Sequence, residues 1–131
     1  MFNGGFLLRV QNLGKFKVSF IQFLSPAFTI VTRHVIIVMI KNFKDRETEK
    51  VFNYEFSRKL PPEIQQQAVR KLWMINDSKS LADLKIPKSN RLKELKGKLT
   101  GQHSIRINRQ WRICFIWIGD NAYNVHITDY H

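Results

Sequence analysis

The spacing of apolar residues changes twice along the chain, and each change predicts a different element. Met39-Ile40-Lys41-Asn42-Phe43 is short, apolar and β-compatible, and the charged stretch after it places Phe52, Phe56 and Leu60 four residues apart. A strand followed by a helix is predicted. Pro61-Pro62-Glu63 has the makings of a second helix start, because proline is tolerated in the first turn and a carboxylate there meets the positive end of the helix dipole. Ile64, Ala68, Leu72 and Ile75 then mark one face of that helix, which should end near Asn76-Asp77. Ser80 and Asp83 have the spacing of a single capped turn, closed before Pro87.

From Asn90 onward the period becomes alternating, with turn candidates at Gly97 to Gly101, Asn108-Arg109-Gln110 and Gly119-Asp120-Asn121. This predicts an antiparallel sheet. Tight turns would set Ile107 opposite Trp111, Phe115 opposite Val125 and Trp117 opposite Tyr123. One face then carries Ile105, Ile107, Trp111, Ile113, Phe115, Trp117, Tyr123, Val125 and Ile127, an apolar surface for the helices. The other carries Arg106, Arg112, Cys114, His126, Thr128 and Tyr130, with the two arginines opposite each other. Like charges so placed cost up to roughly 1 kcal/mol. An anionic ligand would remove that cost, although arginines at a solvated sheet face commonly just extend into water.

Composition separates the first 38 residues from the rest: their only charges are Arg9, Lys15, Lys17 and Arg33, whereas all ten Asp and Glu residues follow Met39. The expectation is an extension over 1–38, with Met39 as the functional start, and one domain over 39–131. The apolar run from Ser19 to Val31 is interrupted by Gln22, Ser25 and Pro26 and is too short to span a bilayer, so no membrane partner is expected. No secretory signal is laid out in order either, and a cytoplasmic protein is expected. The net charge of +12, with 44% hydrophobic residues, describes a packed domain that attracts polyanions, nucleic acid first. Cys114 is the only cysteine; it excludes an internal disulfide and a cysteine metal cage, and its apolar strand context predicts a packed small hydrophobe.

No phosphate-binding loop, dinucleotide glycine pattern, His-Glu-x-x-His or Gly-x-Ser-x-Gly occurs. The candidate chemistry is late in the chain, at Arg112 and Asp129-Tyr130-His131. RNA cleavage without a metal needs a base for the 2′-hydroxyl proton, a cation for charge developing on the phosphate and an acid for the leaving 5′-oxygen. Histidine suits proton transfer, arginine grips a phosphate through its planar fork, and tyrosine stacks on a base or donates a proton. Arg91, Lys93, Lys98 and Arg106 are further candidate RNA contacts. His126, Asp129 and His131 are spaced for opposite faces of a strand, so neither a metal nor a cofactor is expected. Strict alternation also sends Tyr130 to the Arg112 face but Asp129 and His131 to the other. The terminus must leave the ladder if all three are to meet one phosphate.

Residues 39–131 resemble the HigB-type toxins of the RelE/ParE superfamily, bacterial proteins encoded beside an antitoxin. The resemblance lies in the Met39-Ile40-Lys41-Asn42-Phe43 opening, Leu92-Lys93-Glu94-Leu95-Lys96-Gly97, Asn108-Arg109-Gln110-Trp111-Arg112 and the final Asp129-Tyr130-His131. It implies an α+β fold, with two N-terminal helices packed on one face of a curved antiparallel sheet whose concave face meets messenger RNA in the ribosomal A site. It further implies metal-independent cleavage, with Arg112 and Lys96 stabilising the phosphate and Asp129, Tyr130 and His131 orienting substrate and moving protons. Many relatives have histidine where this chain has Lys93, so either His131 is the base or Lys93 serves only as a charge. A HigA-like helix-turn-helix antitoxin, the ribosome and mRNA are the implied partners. Two rivals from other classes stand beside this reading: a nucleic-acid-binding module without catalysis, and a ParE-like gyrase inhibitor.

Overall fold

The computed structural model describes residues 39–99 and 101–130. The expectations for 1–38 and for His131 lie outside the described residues. Two helices, α1 (Arg46–Phe52) and α2 (Pro62–Asp77), precede an antiparallel sheet of β1 (Lys93–Glu94), β2 (Gln102–Arg106), β3 (Trp111–Ile118) and β4 (Asn121–Asp129), ordered 1-2-3-4. The fold is therefore α+β, as the change of period predicts. Among the described residues no helix is long and apolar enough to cross a membrane.

Helix α2 follows its sequence signals closely. Pro62 occupies its first position and Ile64, Ala68, Leu72 and Ile75 are all buried, and the helix packs against β3 and β4. Ile105, Ile113, Phe115 and Val125 supply the fully buried sheet side of that core. Asp83 Oδ2 accepts from the Ser80 amide at 3.3 Å and caps a single 3-10 turn over Leu81–Lys85, the turn expected from the Ser-x-x-Asp spacing.

Helix α1 is shorter than the Phe52, Phe56, Leu60 spacing predicts. It begins at Asp45, whose carboxylate accepts from the Thr48 amide at 2.7 Å, and ends at Asn53, after which Tyr54 adopts φ +63°. A left-handed residue cannot continue the helix. The chain from Ser57 onward is held instead by Gln65, which accepts from the Ser57 amide at 3.0 Å and donates to the carbonyls of Ser57 and Leu60 at 2.7 and 2.8 Å. Phe56 is left exposed. The opening segment is likewise not a regular strand: Ile40 and Phe43 form isolated parallel bridges to Ala122 and Val125 in β4, and Asn76 Oδ1 holds its start through the Met39 and Ile40 amides at 2.9 and 3.1 Å.

The sheet register departs from strict alternation once. Arg112 faces Thr128 and Cys114 faces His126, but beyond a bulge Ile116 faces Tyr123 and Trp117 faces Ala122. Tyr123 therefore leaves the apolar face and fully buried Ala122 replaces it. The extra residue is absorbed near Asn124, at φ +52°, a residue type tolerant of the left-handed region. Its amide donates to Asn42 Oδ1 at 2.6 Å.

A buried polar pair ties α2 to the loop that leads into β1. Lys71, 4% exposed, donates to Oδ1 of fully buried Asn90 at 2.5 Å, and Asn90 Nδ2 donates to the Leu84 carbonyl at 3.0 Å. Burial pulls the Lys71 ammonium below the ordinary lysine pKa. Removing its acceptor leaves a buried charge unpaired, so Asn90→Ala should lose about 2–3 kcal/mol in urea unfolding, and Lys71→Met, which removes the charge as well, should lose less. Between the depressed folded value and the ordinary lysine value the unfolded chain binds more protons, so this group makes stability rise with pH across that window. The rise should be absent from Lys71→Met.

Candidate active site

Arg106 and Arg112 face each other across β2 and β3, as the hairpin turns predict, and two different hydrogen-bond arrangements accommodate the like charges. Arg106 Nε donates along its own turn to the Asn108 carbonyl at 2.9 Å. Arg112 turns the other way and is only 7% exposed. Its Nε donates to Ser104 Oγ at 2.8 Å, while Nη2 donates to the Arg91 carbonyl at 2.5 Å and to the Ser104 carbonyl at 3.1 Å. A guanidinium has five N–H groups. Three are held by the protein, and the two on Nη1 have no acceptor among the described residues.

Each of those acceptors has a local cause. Ser104 is fully buried in β2 and faces Cys114 across the ladder, next to the Arg106–Arg112 pair. The Arg91 carbonyl is presented by a left-handed residue, φ +46°, directly after Asn90. Burial pulls the Arg112 guanidinium below its ordinary pKa; Tyr130 and Cys114 act in the opposite sense, and Arg106 adds to the lowering. Cys114 is buried and its thiol is pushed up by burial, in keeping with a packing role.

Tyr130 closes the site. Strand β4 ends at Asp129, yet the Tyr130 amide still donates to the Gln110 carbonyl at 2.7 Å, and its ring falls on the Arg112 face. Arg112 Cζ is 5.6 Å and Lys93 Nζ 4.8 Å from the ring centroid, within cation–π range. Together with Arg91, Leu92, Arg106, Asn108 and Arg109 these residues line a pocket of about 500 Å³. Among the described residues five cations and no carboxylate line it, and none of the five is in an ion pair. Such a pocket favours an anion with several charged oxygens over any neutral ligand.

Of the residues singled out from sequence, Arg91, Lys93, Arg106, Arg112 and Tyr130 are brought together. Lys96 and Lys98 are exposed beyond β1, outside the pocket lining. Asp129 faces Trp111 and accepts from Gln110 Nε2 at 2.9 Å, so alternation holds and its carboxylate does not join the lining. Sequence reasoning passed over Ser104 and Arg109. Alternation alone puts Ser104 on the Arg112 face, and Arg109 belongs to a turn flanked by the two arginine strands.

Fold and pocket together define a small basic α+β protein with a cation-lined pocket on its sheet. Residues 41–131 match the family described as RelE-like toxin of type II toxin-antitoxin system HigB, and the chain belongs to that family. It is similar to Toxin HigB-1 of Vibrio cholerae, 34% identical over 90 residues that cover 68% of this chain and 95% of that protein. It is also similar to Endoribonuclease HigB of Proteus vulgaris, 29% identical over 93 residues covering 71% of this chain and all of the relative. An uncharacterized protein of Haemophilus influenzae is 28% identical over 88 residues, 66% of this chain and 87% of its own.

The preformed site should bind inorganic phosphate at low ionic strength, shifting the Arg112 Nε–H resonance. Arg112→Lys, which cannot keep the Ser104 and Arg91 bonds and offer a second edge, should weaken binding at least about tenfold. Equal affinity in the variant would show that the pocket does not bind anions through Arg112.

Proposed function

We propose that this chain is the toxin of a type II toxin-antitoxin pair and acts as a ribosome-dependent endoribonuclease, cutting messenger RNA in the cytoplasm without a metal. The observation that carries the reading is the Arg112 guanidinium, held on three N–H groups by Ser104 and Arg91 with its remaining edge in a pocket lined by cations. A scissile phosphate seated there meets donors already in place, and charge developing in the transition state is met without reorganisation. The Proteus relative's name, Endoribonuclease HigB, supports the reaction class.

In this mechanism the 2′-oxygen attacks the adjacent phosphorus as its proton passes to a base, and the P–O5′ bond breaks as the 5′-oxygen takes a proton. The products are a 2′,3′-cyclic phosphate and a 5′-hydroxyl. Arg112 holds the phosphate. Tyr130 offers its ring to the neighbouring base and its hydroxyl to the phosphate. His131 is assigned proton transfer, and Lys93 a fixed charge, consistent with its placement over the Tyr130 ring. Lys96 and Lys98, beyond the pocket, and Arg91 and Arg106, within it, follow the flanking backbone, while Asp129 orients the terminus through Gln110. The concave face of a curved sheet would meet mRNA on the ribosome, and a HigA-like antitoxin would restrain the activity.

Induction in cells, with new RNA 5′ ends mapped, tests the reading. Codon-linked cuts should accumulate in translated messages and vanish when initiation is blocked. Arg112→Ala should lower cleavage at least about a hundredfold, and His131→Ala should abolish growth arrest, both without loss of fold. Full arrest by both variants would remove the catalytic assignment, and DNA damage without new RNA ends would indicate gyrase as the target.

A further inference from the structure

Two buried polar side chains have no part in the chemistry above, yet their contacts lead to Arg112. Lys71 and Asn90 are 4% and 0% exposed, and neither lines the Arg112 pocket. An ammonium has three N–H groups, and among the described residues only one of those on Lys71 is hydrogen-bonded, to Asn90 Oδ1. No carboxylate among the described residues pairs with it, and burial depresses its pKa. A buried charge held by one neutral amide costs more than an apolar side chain of the same length, which would pack α2 as well. Stability alone therefore does not account for a lysine at this position.

What the lysine does is fix the direction of an amide. A group that can only donate takes Asn90 Oδ1, so Asn90 Nδ2 points the other way and donates to the Leu84 carbonyl at 3.0 Å and to Met74 Sδ at 3.1 Å. The Asn90 backbone amide donates to the Pro87 carbonyl at 2.9 Å. The next residue needs that hold. Arg91 is left-handed, φ +46° and ψ +50°, a conformation that is disfavoured for a residue with a side chain and persists only where its surroundings over-determine it. In that conformation its carbonyl accepts from Arg112 Nη2. Were Arg91 to relax to an extended or right-handed conformation, the carbonyl would swing off the guanidinium and leave Nη2 with the Ser104 carbonyl alone.

We propose that Lys71 and Asn90 are positioning residues of the ribonuclease site: they lock the left-handed turn at Arg91 and, through its carbonyl, set the direction in which Arg112 presents Nη1 to a phosphate. The inference rests on the role proposed above for Arg112 and adds to it two residues that do not touch substrate. Because Lys71 reaches Arg112 through Asn90 and the Arg91 backbone, its loss acts on phosphate binding and on the rate of cutting. The exposed cations, and with them the attraction to the ribosome, are unaltered.

The test compares three variants of the purified full chain by the Arg112 Nε–H resonance, by titration with inorganic phosphate and by single-turnover cleavage on programmed ribosomes. Lys71→Met removes the donor alone. Lys71→Met/Asn90→Leu replaces both polar groups by apolar ones of similar shape and so keeps most of the stability. Val51→Ala, at a buried residue of α1 outside this chain of contacts, lowers stability and serves as the control. Both Lys71 variants should move the Nε–H resonance, weaken phosphate binding at least about fivefold and slow cleavage about 10- to 100-fold, with ribosome affinity unchanged. Val51→Ala should do none of these at equal folded fraction. An unmoved resonance with unaltered phosphate affinity in both Lys71 variants would overturn the inference, and so would the same changes in Val51→Ala or cleavage at full rate while the resonance moves. Resonance and phosphate affinity need no cleavage, so a chain in which both change but which never cuts RNA would sink the proposed function and leave the positioning of Arg112 standing.

Discussion

A guanidinium held by the polypeptide on three of its five N–H groups is the interaction on which the rest of the site depends. Arg112 is buried and like-charged Arg106 stands opposite it, so it would be unstable in a site that did not supply acceptors. Three separate parts of the fold bring it to its place. The β2–β3 register brings Ser104 beside it. The left-handed backbone at Arg91 aims a carbonyl at it, and that loop is anchored to α2 through Asn90 and Lys71. The β3–β4 ladder delivers Tyr130 to its face. Disturbing any of the three changes where the free edge points.

The same arrangement explains how five cations can share a pocket of about 500 Å³ with no carboxylate among its described lining residues. Arg106 is drawn to the Asn108 carbonyl and Lys93 lies over an aromatic ring, so part of the repulsion is relieved by backbone oxygens and a ring face rather than by acids. An acid in the pocket would satisfy the cations in the free protein and compete with the phosphate in the bound one. Oxygen dipoles and rings leave the net positive field intact.

Much of this frame is legible in the chain. The proline start and buried face of α2, the turn at Asn108-Arg109-Gln110 and the opposed arginines all follow from local chemistry and period, and each is where it was expected. What was not legible shares one feature: it depends on backbone conformation at single non-glycine residues. Tyr54 ends α1 in the left-handed region, and Asn124 absorbs a bulge that moves Tyr123 off the core face. Tyrosine does not announce this in advance, and asparagine permits it without requiring it. The Arg91 carbonyl that orients Arg112 could not be read from side-chain identities, because a carbonyl is common to every residue. Alternation did place Asp129 away from Arg112, and the structure keeps it there.

The central claim is that Arg112 presents its unoccupied edge to the scissile phosphate. The most direct measurement is the structure of the full chain on a ribosome programmed with mRNA whose attacking 2′-oxygen is methylated, so that the substrate persists. The account predicts a phosphate oxygen about 2.7–3.1 Å from Arg112 Nη1, with the bonds to Ser104 and Arg91 intact and the Tyr130 ring against the neighbouring base. A phosphate held elsewhere, with Nη1 facing only water, would contradict it.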